Sequence, residues 1–221
     1  MYVKFLKIII DTHRFHSQVL ALSETKCRPD TPSVMEPVPG NRTWRTERSG
    51  EDKAGGGLAI LYRDSLPAHQ WNPEVPANFK YISNERQWLL LDNKVEKCAF
   101  LHVYIACQSS RSDSYLQWNE DLFHLLTHEA ITLRRKGFIV IAMGDFNSKI
   151  GNVPGLEGNT PDLNNNAPMF MNFITEVNMV IINTLPISKG VFTRFMDSSG
   201  RHGSRSLLDY GLIDSDHVNT M

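Results

Sequence analysis

The chain has 221 residues, 41% hydrophobic and 21% charged, which fits one ordinary globular domain over 1–221 and excludes wholesale disorder. Its 23 Lys and Arg against 24 Asp and Glu leave a net charge of -1, so no global basic field marks it for nucleic acid. Three cysteines, Cys27, Cys98 and Cys107, cannot all pair and match no zinc spacing, which predicts reduced thiols.

The chain starts with MYVKFLKIIIDTHRF, an apolar stretch broken by Lys7 that lacks a small-residue cleavage site, so it is not read as a signal peptide. Phe5, Ile8, Ile9 and Phe15 predict an amphipathic helix over 4–17. VLALS (19–23) predicts a buried strand with SETK at its carboxyl end. Residues 27–56, rich in Pro, Gly, Arg and Asp, predict an exposed loop, and GGLAILY (56–62) a strand. Arg42, Arg45 and Arg48 in that loop suit either DNA phosphates or plain solvation. QWLLLD (87–92) and CAFLHVYIA (98–106) flank a polar stretch and predict an antiparallel hairpin. A helix follows from about Ser112–Ser114 to Lys136, with Trp118, Leu122, Leu125, Leu126 and Leu133 at helical spacing. Arg134, Arg135 and Lys136 suit its last turn, and Gly137 ends it.

FIVIAM (138–143) is the clearest buried strand, and GDFNSKIG follows it. A loop over 151–166, a helix in MFMNFITEV, a strand in MVIIN and short strands in VFTRF and SLLDYGLI complete the chain. Interleaved helices and strands with at least one hairpin predict an α/β protein with mixed sheets. No run approaches the roughly 18 apolar residues of a membrane span, so no membrane partner is expected.

Polar residues gather where apolar strands end: Glu24 after VLALS, Tyr104 in LHVYIA, Asp145 and Asn147 after FIVIAMG, and Asp209 within SLLDYGLI. In α/β folds sites form at the carboxyl ends of strands. Carboxylates and an amide are hard oxygen donors that suit Mg²⁺ better than zinc, and phosphoryl transfer is the chemistry they serve. Taken singly, each has a plainer explanation as a turn, a cap or a surface residue. His124 and His128 stand four apart on a helix with no evident third ligand.

SETK, GGGLAILY, VYIA, MGDFNSKIG, FTR and SLLDY occur in that order, and together they closely resemble the endonuclease/exonuclease/phosphatase superfamily over residues 5–213. MGDFNSKIG and NMVIINTLP are most similar to the apurinic-endonuclease-like domain of non-LTR retrotransposons. The resemblance implies the DNase I-like fold, a four-layered α/β sandwich of two mixed sheets with helices outside. It implies that Glu24 binds Mg²⁺ (or Mn²⁺), that Asp145 orients or deprotonates the attacking water, and that Asn147 holds the water and the phosphate. Tyr104 would lie against the scissile phosphate, Thr193 and Ser206 would contact it, and Asp209 would orient a histidine. DNA is the implied partner, and the nucleus the implied location.

The sequence departs from the family at both ends. The family opens with a strand carrying W-N-x-x-G, whereas Met1–Lys7 contain no Asn. The family closes with Ser-Asp-His, and Ser215-Asp216-His217 matches in letters only. A straight strand at about 3.3 Å per residue would put His217 roughly 26 Å from Asp209, and a tight turn would aim it at Leu212. The expectation is a chain clipped at both ends and lacking terminal strands, with weak or absent DNA nicking. A decayed non-catalytic DNA-binding scaffold and a phosphomonoesterase of the same superfamily are the alternatives. An unrelated nucleotide-binding protein has no support, because the glycines at 55–57 precede a strand and not a helix.

Overall fold

The computed structural model describes residues 19–23, 40–46, 57–93, 96–107, 114–156, 162–185, 194–198, 201–206 and 208–220. The expected helix over 4–17 lies outside them. Strands β1 (Val19–Ser23), β2 (Asn41–Thr46) and β3 (Leu58–Arg63) form an antiparallel sheet in the order β1-β3-β2. Strands β4 (Ala68–Trp71), β5 (Arg86–Asp92), β6 (Lys97–Tyr104) and β7 (Ile139–Asp145) belong to a larger, six-stranded sheet. Between them lie a 3-10 segment, Ala77–Glu85, and helix α1 (Ser114–Arg135). Helix α2 (Asn166–Val177) and strand β8 (Met179–Ile181) come next. Strands β9 (Arg194–Ser198) and β10 (Arg201–Ser206) pair with each other in a two-stranded sheet, and β11 (Asp209–Asp214) returns to the large sheet.

The large sheet runs β4-β5-β6-β7-β11-β8. Among its described strands only β6 and β7 are parallel, and α1 is the crossover that a parallel pair needs. The expected hairpin is β5–β6, closed by Asn93, whose Oδ1 accepts the Glu96 N–H at 2.6 Å. The large sheet is mixed, as expected, whereas the described strands of the small sheet are all antiparallel.

Alternation along each strand sorts the side chains onto two faces. Trp88 and Leu90 of β5, Leu101 and Val103 of β6, Val140 and Ala142 of β7, and Tyr210 and Leu212 of β11 point toward the helices. They meet Leu122, Phe123, Leu126, Ala130 and Leu133 of α1 and Phe170, Phe173, Ile174 and Val177 of α2. The opposite face carries Leu89, Leu91 and Phe100 against Val19, Trp44, Ile60 and Tyr62 of the small sheet. The result is an α/β sandwich of two face-to-face sheets with helices on the outside of the larger one.

A buried ion pair ties α1 to β5: Arg86 Nε donates to Glu129 Oε2 at 2.6 Å, Arg86 also reaches Oε1, and Trp88 Nε1 donates to Oε2 at 2.7 Å. Gly137, at φ 82°, stops α1 as expected. Asn178, at φ 59°, ends α2, where its left-handed conformation lets its N–H close on the last turn.

Two expectations change. Residues 41–46 lie within the expected loop 27–56 but form β2, because Trp44 alternates onto the inter-sheet face opposite Ile60. Arg42 and Arg45 therefore belong to a strand, and Arg42 forms an exposed ion pair with Asp64 at 3.2 Å. The stretch SLLDYGLI was expected as one strand, yet Ser206 belongs to β10 and Asp209 opens β11.

Candidate active site

The strand register brings three of the expected residues into one row. Tyr104, the last residue of β6, stands beside Asp145, the last residue of β7, and Asp145 stands beside Asp209, the first residue of β11. Strands lie about 4.8 Å apart, so the row spans about 10 Å at one end of the sheet. All three alternate onto the face opposite the α1 and α2 helices. Two carboxylates directly opposite each other across an antiparallel pair repel, and a bound cation relieves that repulsion. Among the described residues, no group of three or more His, Cys, Asp or Glu could hold a metal. Glu24 lies outside the described residues, as does Thr193.

The turn after β7 is built by close backbone contact. Gly144 has φ 149°, and a Cβ there would fall 2.0 Å from the Val103 carbonyl oxygen of the neighbouring strand. Only glycine lets β7 approach β6 so closely just before Asp145. Asp145 Oδ1 accepts the N–H of Asn147 at 2.9 Å, which orients the carboxylate. Asn147 has φ 44°, a left-handed conformation that asparagine tolerates better than most residues. It is buried, and its Nδ2 donates to the Ile105 carbonyl at 2.8 Å. Phe146 points the other way, into a stack with Phe170 at 4.7 Å that continues to Tyr210 at 4.8 Å. Tyr210 OH donates to the Ser148 carbonyl at 2.7 Å, and burial followed by the nearby Asp209 charge raises its pKa well above the usual phenol.

The carboxyl end of β1 approaches the same end of the large sheet. Ser23 Oγ lies 3.0 Å from His102 Nε2, two residues before Tyr104 on the same face of β6. His102 Nδ1 faces Gln87 Oε1 at 3.4 Å, and Gln87 Nε2 donates to the Trp44 carbonyl at 3.1 Å. With Gln87 turned this way, His102 carries its proton on Nδ1 and accepts from Ser23. Burial between the sheets lowers its pKa to about 3, so the ring is neutral. Ser23 directly precedes Glu24 in the sequence.

His217 is found elsewhere. It follows β11 in a 3-10 segment, Ser215–Thr220, with Nδ1 4.0 Å from Asp214 Oδ2, at the end of β11 opposite Asp209. His217 therefore does not stand beside Asp209. Arg134 fills the same end, pairing with Asp214 at 2.8 Å and Asp216 at 3.2 Å, so it is a structural cation. His124 and His128 are exposed on α1. Cys98 and Cys107 are free thiols, while Cys27 lies outside the described residues.

Sequence reading missed the buried Asn119 and Asn166, the half-buried Asn164 and the buried His102. Asn119 lies on the apolar stripe of α1, three and seven positions before Leu122 and Leu126, and a lone amide on such a stripe is the signal. Asn164 and Asn166 were hidden in an asparagine run that reads as loop.

Comparison with solved structures gives likeness of fold at low identity. The endonuclease domain of TRAS1, a telomere-specific non-LTR retrotransposon, matches with a TM-score of 0.59 at 14% identity, over 97% of this chain and 80% of that one. The catalytic domain of APE2 from Xenopus laevis matches with a TM-score of 0.68 at 18% identity, over 97% and 78%. The 3′ phosphatase NExo from Neisseria, bound to a product DNA hairpin, matches with a TM-score of 0.66 at 16% identity, over 97% and 82%. Comparison with curated protein sequences gives no match. The model of the Endonuclease/Exonuclease/phosphatase family covers residues 5–217, and the chain belongs to that family.

Proposed function

We propose that this chain is a divalent-metal-dependent phosphodiester hydrolase domain that nicks DNA, of the type carried by non-LTR retrotransposons. The observation that carries this reading is the Tyr104–Asp145–Asp209 row across β6, β7 and β11. Its oxygen donors suit a hard cation. Mg²⁺ or Mn²⁺, when bound, supplies positive charge against the phosphoryl oxygens. Glu24 would hold that ion, entering from the end of β1. Asp145, fixed by the Asn147 N–H, orients the water and takes its proton. Asn147 helps to hold water and phosphate, and Tyr104 lies against the phosphate from the neighbouring strand. Thr193 and Ser206 would contact the phosphate oxygens. A DNA substrate implies action in the nucleus.

Turnover is expected to be slow. The position of His217, beside Asp214 and not Asp209, favours a second reading in which the scaffold binds DNA without cutting it. A general acid–base partner is worth about 10²–10⁴-fold, enough to separate a working site from a silent one. Nicking of supercoiled plasmid by the folded chain, with Mg²⁺ or with EDTA and beside Asp145→Ala, decides between them. Metal-dependent nicking that Asp145→Ala abolishes supports the nuclease. No nicking by a monodisperse, folded chain that still retards DNA supports the scaffold.

A further inference from the structure

We propose that Asn119 and Asn166 are positioning residues for the turn that bears Asp145 and Asn147. Both are completely buried, at 0% exposure, so neither touches substrate. Asn119 pairs with both backbone groups of Ala106: the Ala106 N–H donates to Asn119 Oδ1 at 3.2 Å, and Asn119 Nδ2 donates to the Ala106 carbonyl at 2.9 Å. A side chain of α1 thus takes the place of a neighbouring strand just where β6 ends, two residues after Tyr104. The other hydrogen of Asn119 Nδ2 goes to Asn166 Oδ1 at 2.9 Å, so both donors of the amide are used.

Asn166, at the start of α2, passes the constraint on. Its Nδ2 donates to the Asn147 carbonyl at 3.0 Å and also lies 3.4 Å from the Ala106 carbonyl. Asn164 Nδ2 donates to the same Asn147 carbonyl at 2.6 Å, and Asn164 Oδ1 accepts the Lys149 N–H at 3.0 Å. Asn147 closes the circuit by donating to Ile105. Four asparagines therefore lock the loop after β6 to the loop after β7. They also hold Asn147 at φ 44°, a conformation it would not favour unaided. The N–H of Asn147 fixes the Asp145 carboxylate, so the lock sets the direction of that carboxylate from within the core.

The catalytic half of this proposal rests on the hydrolase reading, and the structural half does not. Asn119→Asp keeps the shape but removes both donors and places a carboxylate against the Ala106 and Asn166 oxygens. Asn164→Ala, on the half-buried side, removes only one bond to the Asn147 carbonyl and the bond to Lys149, and is the variant expected to fold in any case. Two measurements are made on each variant and on the wild-type chain. The first is amide hydrogen exchange at Phe146–Ser148, with β5 as internal reference. The second is plasmid nicking with Mg²⁺ at varied DNA concentration.

The expected result is faster exchange at Asn147 with β5 unchanged, larger for Asn119→Asp than for Asn164→Ala. In nicking, kcat falls by about 10–100-fold while KM stays within about twofold, since misplacing a reacting group by about 1 Å costs on that order. If wild type does not nick, the hydrolase reading fails and exchange alone decides the positioning claim. Unchanged exchange at Asn147 in Asn164→Ala overturns it. A rise in KM with kcat retained overturns it as well, because that pattern marks lost substrate binding.

Discussion

The two ends of the large sheet are held by different chemistry. At the end where β6 and β7 finish and β11 begins, the loops are joined by neutral amides: Asn119, Asn147, Asn164 and Asn166 bond to backbone carbonyls and N–H groups. At the opposite end an arginine fork does the holding. Arg134 reaches Asp214, Asp216 and the Val177 carbonyl, and so joins α1 to the end of α2 and to the segment after β11. Neutral hydrogen bonds do not change with pH or salt over the ordinary range, whereas ion pairs do. The amide end therefore holds its own carboxylates, Asp145 and Asp209, on a frame of neutral hydrogen bonds that does not itself respond to the charge a metal or a phosphate would bring. Each of the following measurements asks whether that division holds.

The largest effect is expected at the amide end, from Gly144→Ala. The added Cβ would lie 2.0 Å from the Val103 oxygen, and backbone in a central strand cannot yield as a flexible side chain would. A loss of at least ~3 kcal/mol is expected, read by urea unfolding, with no soluble folded chain as the extreme outcome. A loss under about 1 kcal/mol would mean that β6 and β7 are not packed this tightly beside Asp145, and the row would lose its basis.

Next is His102, buried between the sheets and bonded to Ser23 and Gln87. Its pKa in the fold is about 3 against 6.5 when free, so the unfolded chain binds the extra proton. Stability from this group is complete above 6.5 and is lost as pH falls through that value toward 3. Between about pH 7.5 and pH 5, before most carboxylates titrate, the loss amounts to about 2 kcal/mol. His102→Gln keeps polar partners for Ser23 and Gln87 but cannot titrate, so its urea midpoint should be flatter with pH over this window. Equal slopes in the two proteins would show that His102 is not buried neutral between the sheets.

Arg134→Ala tests the charged end. Removing the fork leaves Asp214 buried without its cation, and a loss of about 1.5 kcal/mol is expected. The contribution of the exposed Asp216 should vanish in 1 M NaCl, where the Debye length is about 3 Å, while that of buried Asp214 persists. The difference between wild type and variant should therefore shrink with salt without reaching zero. A salt effect of the same size in Asn164→Ala would erase the contrast between the two ends.

Much of this was legible from the residues, for reasons that can be named. Strand β7 and the turn after it show in a run of six apolar residues followed by Gly-Asp-Phe-Asn, because a buried strand must be apolar and a tight turn must be glycine or asparagine. Helix α1 shows in its 3.6-residue spacing and in Gly137. Strand β2 did not, because Asn41-Arg42-Thr43-Trp44-Arg45-Thr46 shows no apolar alternation, and Trp44 is its single large apolar residue. The split between β10 and β11 did not show either, since an apolar run does not say where one sheet ends and another begins. At the candidate site, Tyr104, Asp145 and Asp209 sit at strand ends, where polar letters stand out. The asparagines that hold them sit in a helix and a loop, and their partners are backbone groups from distant segments. Backbone groups leave no mark in a sequence.

The smallest effect is expected from His217→Ala, and it tests the assignment of the two ends most directly. The letters Ser-Asp-His invite a catalytic role beside Asp209. Strand β11 separates Asp209 from Asp214 by five residues, about 16 Å at the usual rise, and His217 stands beyond Asp214. Its ring is 4.0 Å from the Asp214 carboxylate, which Arg134 already neutralises, so the histidine adds little to either charge or packing. Stability should stay within about 0.5 kcal/mol of wild type. Plasmid nicking should be unchanged, whereas loss of a general acid–base group would lower it by about 10²-fold or more. A drop of that size with stability intact would mean that the segment after β11 reaches across to Asp209 when DNA is bound. The division between a neutral working end and a charged structural end would then have to be given up.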